Sequence, residues 1–206
     1  MKKIEIKHKI TNEVLFSHEC ENNTIKITLQ LAVKNRANLG NANLGDANLE
    51  NAYLGDAYLG NAYLGNANLE NAYLGDAYLE NAYLENANLG NANLGDANLE
   101  NAYLGNANLE NANLENAYLG NANLENAYLG NANLENAKKV PIYCRWTHGI
   151  TNENLIHIGC EKRTIEEWDK FFSSDEKLTT ERNTPEFKQI EAVYLAYKAY
   201  LTHLNS

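Results

Sequence analysis

The chain of 206 residues is long enough for one or two domains with a real core, and its 44% apolar content and mean hydropathy of −0.52 describe a soluble protein. No run approaches the roughly 20 apolar residues of a membrane span, and a net charge of −10 argues against nonspecific binding to nucleic acid or to an anionic membrane. Three cysteines, Cys20, Cys144 and Cys160, are too few and odd in number for a disulfide framework, which favours a reducing cytoplasm.

The first ten residues, MKKIEIKHKI, hold lysines but no apolar h-region or small-residue cleavage site, so they do not read as a secretory leader. Ile4 and Ile6 alternate with polar residues, the period of a half-buried strand. A Thr11-Asn12-Glu13 turn, a second strand and a helix capped by Thr24 follow. Residues 1–36 are therefore expected to form a ββα unit.

Ala37 through Asn136 is twenty uninterrupted copies of a five-residue unit, beginning ANLGN ANLGD ANLEN AYLGD. Position one is always Ala and position three always Leu; position two is Asn or Tyr, position four Gly or Glu, and position five Asn or Asp. On an α-helix, successive leucines of such a repeat step round by about 140° and leave no apolar stripe. On a strand, an odd period sends them to alternate faces. The chain must bend once per unit, and Gly, Asn and Asp at positions four and five supply turn conformations. If each unit turns the chain by about 90°, four units close a square coil with every Ala and Leu inside. Stacked coils then pair at the β spacing of ~4.8 Å, and twenty units make five coils about 24 Å long. An isolated unit cannot fold, because a buried Leu contributes roughly 1.5–3 kcal/mol while ordering each residue costs about 1–2 kcal/mol. Both ends of the rod therefore need covering.

These units resemble the pentapeptide-repeat family. The resemblance implies a right-handed quadrilateral β-helix, an all-β solenoid over residues 37–137, flanked by α+β caps. The family often places Phe at the central inward position, where every residue here is Leu. Some members mimic duplex DNA and bind DNA gyrase, which the resemblance offers as an alternative function.

Counting units places the outward residues on the square. Thirteen carboxylates and no Lys or Arg lie in the repeat, against 17 basic and 14 acidic residues outside it. Asp56, Asp76, Asp96, Glu115 and Glu135 share one side, one per coil, and form a candidate interaction surface or a DNA-like stripe. Tyr63, Tyr83 and Tyr103 share another and form a candidate stacking platform; Tyr53 with Tyr73, and Tyr58 with Tyr78, make shorter ladders. Residues 38–55 and 88–105 are identical, an offset of two and a half coils that puts the copies on opposite sides. Expansion that ignores sides suits a spacer better than a face-specific mimic.

Residues 138–206 repeat the pattern of the first flank. HGITNENLIHIGCEKRTI (His148–Ile165) matches HKITNEVLFSHECENNTI (His8–Ile25) at ten of eighteen positions. A second ββα cap is expected, its helix opened by a Thr164/Glu167 capping box. Cys144, His148, His157 and Cys160 have ligand types that suit tetrahedral zinc, and Cys160 with a neighbouring His suits a thiol nucleophile. The first flank lacks the counterparts of Cys144 and His157 and carries Cys20 in the place of Cys160, so packing roles are expected, with no metal, cofactor or enzymatic activity. After a polar loop, a helix from about Pro185 lines up Phe187, Ile190, Tyr194, Tyr197, Leu201 and Leu204 on one apolar face. That face suggests a homo-oligomer. The tail resembles those of bacterial and phage pentapeptide proteins of unknown role. The sequence points to a non-enzymatic interaction or scaffold protein whose partner it does not name, with no direct contact to nucleic acid or membrane.

Overall fold

A computed structural model describes residues 1–139, 148–150, 156–158, 161–174 and 185–204. Strands β1 (Lys2–Lys7) and β2 (Val14–Cys20) form an antiparallel hairpin from Lys2↔Cys20 to Lys7↔Val14, with a register shift at Ile6/Lys7. In its turn, Asn12 takes the left-handed conformation at φ 58°, and His8 Nδ1 accepts from the N–H groups of Ile10 and Thr11. Helix α1 (Ile25–Lys34) starts where Thr24 accepts the Ile27 N–H at 3.2 Å. Buried Thr28 donates to Asn23 Oδ1 at 3.1 Å, and the Asn23 amide donates to the His18 carbonyl at 2.8 Å, tying helix to hairpin.

The repeat then winds as the period requires. Parallel bridges join residues twenty apart, from Asn38↔Tyr58 to Tyr118↔Lys138, so one coil is four units. From Leu39 to Leu119 each Leu N–H donates to the position-two carbonyl of the next coil, as Leu84 does to Tyr103 at 2.7 Å. From Asn41 to Asn116 each position-five N–H donates to the position-four carbonyl one coil on, as Asn86 does to Gly105 at 2.9 Å. From Leu39 to Leu134 every repeat Ala and Leu is at most 9% exposed.

The corners correct one expectation. Every position-five residue from Asn41 to Asn136 has a φ between 54° and 62°, and the following Ala N–H closes back on the Leu carbonyl three residues earlier. This is the pattern of a type II turn, with its left-handed residue at position five alone. Asn and Asp stand there because their short polar side chains tolerate that conformation. The position-four glycines do not have positive φ; several clear space for tyrosine rings instead.

The first coil is engaged from outside. His8 bridges Ala42 antiparallel, the Lys9 N–H reaches the Asn41 carbonyl, the Asn43 N–H reaches the Lys7 carbonyl, and Lys26 Nζ donates to the Glu50 carbonyl at 3.0 Å. Leu29 and Ala32 of α1 join the rod's core.

The second flank differs from the expected copy of the first. Strands β3 (His148–Ile150), β4 (Ile156–Ile158) and β5 (Glu161–Arg163) form an antiparallel sheet in that order, with a third strand where the first flank has a turn. His148 pairs with Ile158, whereas in the first hairpin His18 pairs with Ile4, so the registers differ as well. Helix α2 (Ile165–Ser173) has the expected Thr164/Glu167 capping box. Its Trp168 and Phe171 cluster with Tyr194 and Leu201 of helix α3 (Pro185–Leu204), and Trp168 Nε1 donates to the Ile156 carbonyl at 2.9 Å. The opposite, alanine-rich side of α3 brings Ala196 and Ala199 into the rod's core, with Ala192 and Leu195 packed against it. Ile190, Tyr194, Tyr197 and Leu201, four of the six residues of the face that suggested an oligomer, are buried within the chain. The side chains of Phe187 and Leu204 lie outside the described residues.

Candidate functional site

The rod's outer surface is built by positions two, four and five, and the ladder stacks them in columns. With the four sides numbered as the chain meets them, Asp56, Asp76, Asp96, Glu115 and Glu135 all lie on the fourth, as the count of units predicts. The column changes position at mid-rod: the aspartates occupy the corner and the glutamates the adjoining site. The Asp96 N–H bonds the Glu115 carbonyl at 2.8 Å. On the other sides, neighbouring donors satisfy several carboxylates. Asn66 donates to Asp46 at 3.1 Å, Asn88 to Glu70 at 3.1 Å, Asn98 to Glu80 at 2.7 Å, and Tyr128 Oη to Glu110 at 3.3 Å. Among the described residues, no side chain donates to any of the five column carboxylates.

The position-two residues behave in two ways. Each Asn accepts the N–H of its own position four, as Asn98 does from Glu100 at 3.0 Å. Several tyrosines stack or lie flat, whereas Tyr53 stands 73% exposed. Tyr83 stacks on Tyr103 with centroids 4.8 Å apart, and Tyr58 on Tyr78 at 5.0 Å. Tyr63 instead lies over Gly45 and Gly65, so the expected Tyr63–Tyr83–Tyr103 platform is brought together in backbone register but its rings divide. Lys9 from the first hairpin covers the far part of it. Its Nζ sits 4.1 Å from the Tyr83 centroid and donates to the Asn61 carbonyl at 2.6 Å. Burial lowers the pKa of this ammonium.

Tyr73 follows Tyr63's pattern on the fourth side. A Cβ on Gly55 or Gly75 would stand 2.5 Å and 2.7 Å from its ring atoms, so the ring spans both glycines. Beside it, Leu31, Val33 and Lys34 of α1 form a groove with Tyr53, Asp56 and Tyr73. Sequence reasoning missed this groove because it depends on where α1 lands. The glycines at residues 55 and 75, each twenty apart and two or eighteen residues from Tyr73, are the signal that could have found the flat ring.

Among the cysteine and histidine candidates, the backbones of His148 and His157 lie on adjacent strands β3 and β4, with Gly149 opposite His157. Cys144 and Cys160, and the side chains of both histidines, lie outside the described residues. A cluster that the sequence reading did not single out joins α2 to α3: Tyr194 Oη donates to Asp169 at 2.6 Å, and Lys198 pairs with the same carboxylate at 2.8 Å. Burial and then the adjacent carboxylate hold the Tyr194 hydroxyl well above its ordinary range. Partial burial pushes Asp169 up, but the bonds from Lys198 and Tyr194 outweigh it and leave the carboxyl below its usual value.

The family model for pentapeptide repeats matches in 8 copies, over residues 35–71, 52–91, 62–101 and 117–138. No curated protein matches the chain. Solved structures similar to it include HetL, a pentapeptide repeat protein involved in heterocyst differentiation regulation from the cyanobacterium Nostoc sp. strain PCC 7120, at 34% identity over 59% of this chain and 56% of HetL, with a TM-score of 0.38. Rfr23 from the cyanobacterium Cyanothece 51142 is 38% identical over 39% of this chain and 60% of its own, with a TM-score of 0.28. QnrB1, a plasmid-mediated fluoroquinolone resistance protein, is 19% identical over 50% of this chain and 55% of its own, with a TM-score of 0.44. The chain spans 55% to 60% of the length of these relatives. With its unbroken run of A-x-L-x-[ND] units and the matches to the family model, this chain belongs to the pentapeptide-repeat family.

Proposed function

We propose that this protein is a non-enzymatic scaffold of the cytoplasm. Its rod is a right-handed, four-sided β-helix of five coils that holds two α+β caps a fixed distance apart and offers its sides to protein partners. The observation that carries the reading is the unbroken ladder at a spacing of twenty residues, with a core of Ala and Leu alone between Leu39 and Leu134. Such a body is stiff along its axis and makes its contacts through side chains that are cheap to vary. The identity of residues 38–55 and 88–105 fits the same use, because a spacer tolerates copying that ignores sides.

One observation favours a second reading, a DNA-mimic regulator of DNA gyrase or another topoisomerase. Thirteen carboxylates on a rod about 24 Å long approach the linear charge density of duplex DNA, one charge per about 1.7 Å. Their distribution argues the other way. Five crowd the fourth side and the rest scatter over three sides, several of them satisfied by asparagine, where a duplex presents two regular rows. A gyrase supercoiling titration separates the readings, run beside a variant with Asp56, Asp76, Asp96 changed to Asn and Glu115, Glu135 to Gln. The scaffold reading expects no inhibition at stoichiometric amounts. Inhibition by the parent that disappears in the variant establishes mimicry instead.

A further inference from the structure

We propose that the groove between α1 and the rod's fourth side is the docking site for an extended basic segment of a partner protein. An apolar residue of that segment lies against Leu31 and Val33, and Arg or Lys side chains pass over Tyr73 beside Asp56 and Asp76. The proposal deepens the interaction reading above and rests on it.

Four features converge there. The groove's wall is apolar where α1 supplies Leu31 and Val33, and Tyr53 at its edge is 73% exposed, the most exposed tyrosine of the rod. Tyr73 lies flat across Gly55 and Gly75, which leaves the outer face of its ring open, and the residue is 43% exposed. A flat aromatic face next to carboxylates is a receptor for ammonium and guanidinium groups. The fourth side is also where the acidic column begins, and its carboxylates take no side-chain donor among the described residues, unlike Asp46, Glu70, Glu80 and Glu110 elsewhere. An arriving cation therefore displaces no side-chain donor of the described residues.

The protein itself shows the mode of contact. Lys9 places its ammonium 4.1 Å above the Tyr83 centroid while donating to the Asn61 carbonyl. Tyr73 presents the same ring chemistry without such a cover among the described residues. Lys34 on the groove's rim repels a second cation, which is why the apolar residue of the partner is assigned to the α1 wall. The basic residues are assigned to the stretch below it, toward Asp76.

The test is fluorescence anisotropy of the full chain with a fluorescein-labelled peptide of alternating leucine and arginine, at about 0.15 M salt. The same peptide with glutamate for arginine serves as its control. Tyr73→Ala and the double variant Asp56→Asn, Asp76→Asn are each expected to weaken binding about tenfold. Asn occupies the same corner in most units, so the double variant keeps the turn. Glu70→Gln with Glu110→Gln, on the third side, removes two charges as well and is expected to change affinity less than about twofold. Equal losses in both double variants, or a parent that binds the arginine peptide no better than the glutamate one, overturn the proposal. Neither result bears on the gyrase titration, so the scaffold reading stands or falls separately.

Discussion

At the scale of single residues, the corner asparagines do the most to define the rod. Each sits at φ near 57°, a region that costs β-branched residues steeply and glycine nothing. Asn91, at φ 56° with its N–H bonded to the Glu110 carbonyl at 2.8 Å, is representative. Asn91→Gly should leave urea stability nearly unchanged, whereas Asn91→Val should lower it by about 1–3 kcal/mol. The inward Ala and Leu and these corners were legible in the sequence, because a period of five admits no straight element. The orientation of the tyrosines was not. Tyr63 and Tyr73 lie flat over glycines of their own and the preceding coil, whereas Tyr58, with Gly40 and Gly60 in the same places, stacks on Tyr78. Glycine permits the flat ring without deciding it, since Tyr63 lies flat and Tyr58 stacks although each is followed one coil on by a tyrosine.

At the scale of elements, α3 has the most consequential placement. It is sandwiched: Tyr194, Tyr197 and Leu201 face α2 and β4, while Ala196 and Ala199 complete the rod's core. The sequence showed the first face through its large side chains. The alanines of the second carry little apolar signal, although small residues are what let a helix approach a coil of Ala and Leu closely. The Tyr194–Asp169–Lys198 cluster fastens this helix to α2. Tyr194→Phe removes the donor at 2.6 Å and should cost about 1–2 kcal/mol at neutral pH. Asp169's pKa is depressed in the folded chain, so its contribution is present above the ordinary value of 3.8 and is lost as pH falls through the lower folded value. Tyr194's is raised, so its contribution holds below 10.0 and is lost as pH rises beyond it. The difference between parent and variant, followed by thermal unfolding across pH, should be greatest between those limits and shrink outside them.

At the scale of the whole molecule, the proposed role is that of a stiff spacer whose length is set by the number of coils. Each coil adds one β spacing, and the ladder leaves no interior joint between Asn38 and Lys138. The hairpin and α1 engage the first coil, and Ala196 and Ala199 of α3 join the rod's core. The flanks' shared sequence pattern led to the expectation of an α+β unit on each side of the repeat. Their different registers and the use of α3 rather than α2 against the rod follow from packing that no local pattern records.

The most direct test of the spacer claim is a distance along the axis. Tyr53 and Asn133 both lie on the fourth side, exposed and four coils apart. With the native cysteines replaced by serine, spin labels on Tyr53→Cys and Asn133→Cys can be measured by double electron–electron resonance. The account predicts one narrow distance distribution, centred near the backbone separation of about 19 Å plus the reach of the label arms. A broad distribution, or a centre that does not match four stacked coils, contradicts it.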